Sequence, residues 1–304
     1  MTVPETKLKA RLSSNAPVII AELTPPKTAN PAPVRETLRV LKGKVDAIGV
    51  SDNRSGVCMS ALAAASLVVE EGIEPILHMV TRDRNRIALL SDCLGAQALG
   101  IHNLLITTGG HQTLGPFRSA KNVFDLDSIQ LIDAFSHLDQ EGAVFGASET
   151  TKGGDLCIGA VASPDADPKE LQLMRLAKKV KAGASFLITQ PVFDAKRFEK
   201  WWGEVQKKGL AKKTAFIAGI EPVADMDTLD AVKNGRPNSR LPAALIEKLS
   251  SKPEAGALRE EGIRIAVETI ERLKSMGLSG FEIRVGQDPK VALEIIDRAK
   301  LRTN

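Results

Sequence analysis

Short runs of Val, Ile and Leu recur along the chain, each followed by a longer stretch with apolar positions three or four apart. The runs are 17–23 (PVIIAEL), 45–51 (VDAIGVS), 74–81 (EPILHMVT), 103–109 (NLLITTG), 155–162 (DLCIGAVA), 186–192 (FLITQPV), 214–220 (TAFIAGI) and 280–285 (GFEIRV). They alternate little between apolar and polar residues, which is the pattern of strands covered on both faces. Three intervening stretches predict helices. Residues 60–71 open at a candidate cap, Ser60, and stop at Gly72. Residues 168–183 start at Pro168 and stop at Gly183. Residues 256–276 place Ile263, Val267, Ile270 and Leu273 on one face ahead of Gly277. Asp83 is a candidate cap for the helix after the third run, and Trp201-Trp202 with Phe198 predicts helix packing.

Parallel strands need a crossover each time, so eight strands alternating with helices predict a closed (β/α)8 TIM barrel. The alternative is an open doubly wound sheet, but no GxGxxG follows the first run. The pattern predicts one barrel domain over 1–304, with 1–15 as an N-terminal extension. Long connections at 110–126, 142–154 and 221–240 are candidate functional loops.

Composition narrows the function classes. Of 304 residues, 43% are hydrophobic, enough for a large core. Aromatics make up 4% and Tyr is absent, which argues against a base-stacking nucleic-acid surface. The net charge of +4 is spread without a basic block. Cys58, Cys93 and Cys157 form no CxxC pair, so neither a disulfide framework nor a cysteine zinc site is indicated. No run reaches the roughly 18 apolar residues of a membrane span, and a cytoplasmic protein is expected.

In a barrel of this kind the chemistry sits at the C-terminal ends of the strands. The polar residues there are Glu22, Ser51, Asp52, His78, Arg82, Thr108, Gly109, Gly110, His111, Ser163, Asp167, Gln190, Glu221 and Arg284. Glu22 ends an apolar strand. A carboxyl over a barrel core is partly desolvated, which predicts a raised pKa and an acid able to donate near neutrality; a rim carboxylate paired with a cation is the alternative. Gly109-Gly110 would let backbone approach a ring or phosphate, or simply make a turn. His78 and His111 suit hydrogen bonding to a phosphate or ring better than a metal site, which is not expected. Gln190 could read a pterin edge or be satisfied within the core.

Several segments resemble those of the flavin-dependent methylenetetrahydrofolate reductases. AELTPPKT resembles that family's first-strand motif, VDAIGVSD its second and ILHMVTRDRN its third. VKAGASFLITQPVFD resembles the sixth and IAGIEPV the seventh. LLITTGGHQTLG with KNVFDLDSIQLI is similar to the variant in acetogens and their relatives. The likeness covers roughly 17–300.

The resemblance implies an enzyme that interconverts 5,10-methylenetetrahydrofolate and 5-methyltetrahydrofolate by hydride transfer through FAD, with NADH or NADPH as possible electron donor. It implies Glu22 as the acid that protonates N10 and Gln190 as the pterin-binding amide. Ser51, His78, Gly109 and Lys179 match flavin-contacting positions, and Thr108, Gly110, Ser163 and Asp167 fall where other flavin contacts are made. Where the family often has Arg-Gly-Asp, this chain has Thr108-Gly109-Gly110. Arg82, on the adjacent strand end, is the expected replacement for the missing arginine. Asp288 falls near the position of a family arginine that contacts the folate tail. These departures leave two alternatives open: a reductase that takes electrons from a partner subunit, and a non-redox folate-binding barrel in methyl transfer. A homo-oligomer or a partner subunit is expected; a nucleic-acid or membrane partner is not.

Overall fold

The computed structural model describes residues 6–14, 16–54, 56–142, 155–234, 240–252 and 254–302. In chain order the elements begin α1 (Lys7–Leu12), β1 (Val18–Leu23), α2 (Ala32–Leu41), β2 (Ala47–Val50), α3 (Ala61–Glu70), β3 (Pro75–Val80), α4 (Arg86–Ala98) and β4 (Asn103–Thr107). They continue with α5 (Ser128–Glu141), β5 (Cys157–Ala162), α6 (Lys169–Lys181), β6 (Phe186–Pro191), α7 (Ala195–Lys207) and β7 (Ala215–Ile220). The last are α8 (Met226–Lys233), α9 (Ala243–Ser250), α10 (Ala255–Lys274), β8 (Gly280–Arg284) and α11 (Pro289–Arg298). The strands close in sequence order into an eight-stranded parallel barrel, and β8 returns to pair with β1. Each of the eight apolar runs contains one strand, so the expected (β/α)8 barrel is the observed fold.

Alternation along the strands splits the apolar residues into two cores. One lies between the sheet and the outer helices and holds Ile19, Ala21, Leu77, Leu104 and their neighbours. The other fills the inside of the barrel with Val18, Ile20, Ala47, Ile76, Leu105, Cys157, Phe186, Ile188 and Ile217. Leu8 of α1 belongs to this inner core and is fully buried. It stops the barrel at the N-terminal end of the strands, and burying such a side chain contributes roughly 2 kcal/mol. The backbone N–H of Leu8 donates to Glu74 Oε1 at 2.9 Å, and Lys9 pairs with Asp155 at 2.5 Å, tying α1 to the barrel wall.

The helix starts differ in detail from expectation. Asn85, not Asp83, caps α4, because Thr81–Asp83 form a separate tight turn first. Ser60 stands at the cap position of α3 without a side-chain bond, and Pro168 stands just before the first residue of α6. Trp201, Trp202 and Phe198 pack with Phe216 under the sheet, as expected of a packing cluster. The connection after β7 carries α8, while 143–154 and 235–239 of the long loops lie outside the described residues.

Candidate active site

Above the inner apolar core the barrel interior turns polar. Counting in twos along β1 and β8 brings Glu22, Glu282 and Arg284 to the inward face, and the register sets Glu22 beside Arg284. His78, within β3, and Gln190, near the end of β6, enter the same region. Gly49 of β2 leaves space among them. A methyl group there would lie 3.0 Å from His78 Nε2, 3.2 Å from Glu282 Oε1 and 3.6 Å from Glu22 Cγ.

Arg284 holds the layer together. Its Nε donates to Glu22 Oε2 at 3.3 Å, its Nη1 to Glu221 Oε2 at 2.9 Å, and its Nη2 to Gln190 Oε1 at 3.4 Å. Arg54, from the loop after β2, pairs with the other oxygen of Glu22. Glu22 and Gln190 are thus joined through one guanidinium at one end of the barrel.

The charge state of Glu22 differs from the sequence expectation. Burial does push its carboxyl upward, since Glu22 is only 2% exposed. Arg54 and Arg284, with a smaller effect from His78, outweigh that and hold it down at about 2. Glu22 is therefore a carboxylate at neutral pH, which corrects the expected raised pKa. The carboxyl pushed the other way is that of Glu282, which burial, and then the charge of Glu22, raise well above the usual carboxylate range. Burial pushes His78 down to about 4; Glu22 opposes this while Arg54 and Arg284 add to it. Its Nε2 is buried with no hydrogen-bond partner among the described residues.

These shifts have opposed effects on stability. The folded pKa of His78 lies below its ordinary 6.5, so its contribution is complete above pH 6.5 and lost as pH falls through 4. Glu22 likewise contributes above its ordinary 4.5 and loses that as pH falls through 2. Glu282 is raised, so its contribution is present at low pH and lost as pH rises above the ordinary carboxylate value. His78→Gln is expected to remove about 3 kcal/mol of the stability that favours pH 7 over pH 4, read by urea unfolding at both values. An unchanged difference would mean that His78 is not held neutral by the fold.

The other expected site residues ring the same end. Ser51 donates to Thr24 at 3.3 Å. Thr108 exchanges hydrogen bonds with Ser128 at the start of α5. Gly109 has φ +82°, and a Cβ there would lie 2.7 Å from Val80, so glycine is required at that turn; nothing stands within 4 Å of where Gly110 would carry one. Arg82 is buried and donates to both oxygens of Asp83, at 2.8 and 2.7 Å, and to the Gly110 carbonyl at 3.1 Å. Asp83 also accepts from Gln112, so this ion pair fastens the β4 loop to the end of β3. Ser163 follows β5 half-buried, and exposed Asp167 pairs with Arg240 at 3.0 Å. Lys179 of α6 reaches back to the Val161 carbonyl at 2.6 Å, and burial lowers its ammonium to about 8. His111 is exposed on the β4 loop, apart from the buried layer of His78. Asp288 caps α11. Among the described residues no group of three or more His, Cys, Asp or Glu could hold a metal, and no helix is long and apolar enough to cross a membrane.

Two residues of the polar layer escaped the sequence reading. Arg54 sits in a polar loop with nothing to mark it. Glu282 had a signal: a carboxyl inside the apolar strand GFEIR, two residues from Arg284 and so on the same face.

Comparison with known proteins agrees with this architecture. Among solved structures, an uncharacterized protein from Clostridium thermocellum that binds two copies of 5-methyl-5,6,7,8-tetrahydrofolic acid superposes with a TM-score of 0.66. It is 17% identical, with 97% of this chain and 98% of that one covered, and at that identity the likeness is one of fold. A 2,3-dimethylmalate lyase superposes at 0.56 with 15% identity, covering 99% and 83%. In sequence, the chain is 25% identical over 228 residues to a probable methylenetetrahydrofolate reductase (NADPH) of Caenorhabditis elegans, covering 74% of this chain and 32% of that protein. It is 24% identical over 267 residues to methylenetetrahydrofolate reductase 2 of Saccharomyces cerevisiae, covering 84% and 42%. The chain thus spans less than half the length of these relatives. The family model for methylenetetrahydrofolate reductase matches residues 7–300, nearly the whole chain, and the protein belongs to that family.

Proposed function

We propose that this protein interconverts 5,10-methylenetetrahydrofolate and 5-methyltetrahydrofolate in the mouth of its barrel, with FAD as cofactor. The observation that carries the reading is Arg284 touching both Glu22 and Gln190, which gathers an acid-base group and an amide at one entrance in a chain of this family. Among the described residues the mouth has features suited to a flat hydrogen-bonding ring: a buried His78 Nε2 without a partner and open space over Gly110. Ser51, His78 and the Thr108–Gly110 backbone would hold the ring side of the cofactor, with Ser163, Asp167 and Lys179 toward the rest. Arg82 carries a charge already matched by Asp83 and is expected to contribute hydrogen bonds more than net charge. When bound, FAD supplies the hydride chemistry, with NADH or NADPH as electron donor.

The protein's own part is orientation and proton handling. Gln190 offers the pterin both a donor and an acceptor. Glu22, a carboxylate at rest, takes up a proton and passes it to N10, so that the bond from N10 to the methylene carbon breaks and that carbon becomes electrophilic. The test is anaerobic: purified protein should carry a flavin absorbance band, bleached by NADH, NADPH or 5-methyltetrahydrofolate added separately. Flavin-loaded protein that none of the three reduces would sink the redox reading. A second reading, a folate-binding barrel without flavin, draws on the Thr108-Gly109-Gly110 sequence; colourless protein that still binds 5-methyltetrahydrofolate would favour it.

Gln190→Ala is expected to weaken folate binding about tenfold, the worth of roughly one or two hydrogen bonds, while FAD binding changes little. Titration calorimetry with each ligand checks this, and equal losses for both would remove Gln190 from the pterin site.

A further inference from the structure

Glu282 has no part in the chemistry above, yet it lies in the same layer. It is 2% exposed, and its Oε1 has no hydrogen-bond partner among the described residues. Around it stand Glu22 from β1, Arg54 from the β2 loop, His78 from β3 and Arg284 of its own strand, and Arg284 also holds Glu221 after β7. Among the described residues, three carboxyl groups face two guanidinium groups beside a neutral imidazole. The cluster balances only when one carboxyl keeps its proton, and a net charge buried this deeply is costly. Glu22 has a guanidinium on each oxygen and Glu221 has Arg284, so the proton falls to Glu282.

We propose that Glu22 and Glu282 share one proton, which rests on Glu282 while Arg54 covers Glu22 and passes to Glu22 when substrate displaces Arg54. The inference rests on the folate reading above. Arg54 is the movable partner: its side chain is 28% exposed, against 11% for Arg284, and it comes from a loop. A folate N10 reaching Glu22 from the mouth takes the place of Arg54. Without that cation Glu22 becomes the better base of the pair. The Glu282 O–H bond breaks as a Glu22 O–H bond forms. That bond breaks in turn as N10 gains its proton and releases the methylene carbon. A proton from solvent returns to Glu282 after product leaves. Gly49 keeps this path clear, since any side chain there would press on His78 and Glu282. Glu282 acts through Glu22 and is a positioning residue for the proton.

Infrared difference spectra of the purified protein test the resting state without turnover. The wild type should show a protonated-carboxyl band at pH 7 that Glu282→Gln removes. A wild type lacking the band, or a band that survives in Glu282→Gln, overturns the proposal. In turnover, Glu282→Gln is expected to slow folate conversion about 100-fold at pH 7.5, with the remaining rate climbing as pH is lowered. Reduction of the bound cofactor by its electron donor should stay within about twofold. Folate turnover within about threefold of wild type, with an unshifted pH profile, overturns the proposal as well. Glu282→Asp keeps an acid and should restore part of both band and rate; failure to restore either, in a folded protein, counts against the shared proton. Wild-type protein with the Glu282 band but no folate turnover bears out the shared proton and sinks the folate reading alone.

Discussion

Replacing Glu22 with glutamine is expected to lower folate turnover by about 10²–10⁴-fold, the usual worth of a general acid. The amide matches the carboxylate in shape, and its one oxygen still accepts from Arg54 or Arg284, but it has no acidic proton to give. Cofactor and folate binding should therefore change little, and the loss should fall on kcat rather than on KM. The fold should survive as well. Breaking a buried ion pair ordinarily costs about 3–5 kcal/mol because a charge is stranded. Here Glu282 can ionise in place of Glu22, so two carboxylates still meet two guanidiniums, and the loss should be smaller than that range. Single-turnover measurement at saturating folate reads the chemical step directly. A rate within about threefold of wild type would remove Glu22 from the mechanism.

The second large effect lies deeper. Gly159 of β5 sits beside Phe186 of β6 in the barrel register, and Phe186 is fully buried in the inner core. A Cβ on Gly159 would lie 2.3 Å from the ring, far inside contact distance. The ring is enclosed and has nowhere to turn, so Gly159→Ala is expected to cost about 3 kcal/mol or more. Phe186→Leu should itself destabilise by leaving a small cavity. Together the changes should cost clearly less than their sum, because the smaller side chain makes room for the methyl group. Urea unfolding of both single variants and the double variant closes the cycle. Simple additivity would mean that the ring is not what excludes a side chain at Gly159.

The barrel could be read from sequence because its strands are covered on both faces. Each had to be a dense apolar run, and the helices between them had to carry apolar residues on one side. The runs overshoot the strands by a residue or two, as at Val45 and Asp46, where Asp46 instead uses its carboxylate to accept from the Ile19 N–H at 2.7 Å. The ionisation of Glu22 could not be read this way. A carboxyl above an apolar strand suggests a raised pKa, but the sign is set by Arg54 from a loop and by Arg284, 262 residues away in sequence. Closure of the barrel is what brings the latter near. The cap of α4 failed for a local reason: the chain makes a tight turn at Thr81–Asp83, so Asn85 reaches the cap while Asp83 is taken up by Arg82. Glu282 was legible in principle, since its spacing from Arg284 fixes a common face.

Leu8 gives the molecule one last property. With α1 seated under the strands, the barrel is a cup and not a tube. Among the described residues Leu8 closes the lower end, so solvent that reaches Glu282 and His78 descends from the rim, past Arg54 and Arg284. Isotope exchange at those buried groups therefore reports how often the rim opens, and loosening the stopper would give water a second route that bypasses it.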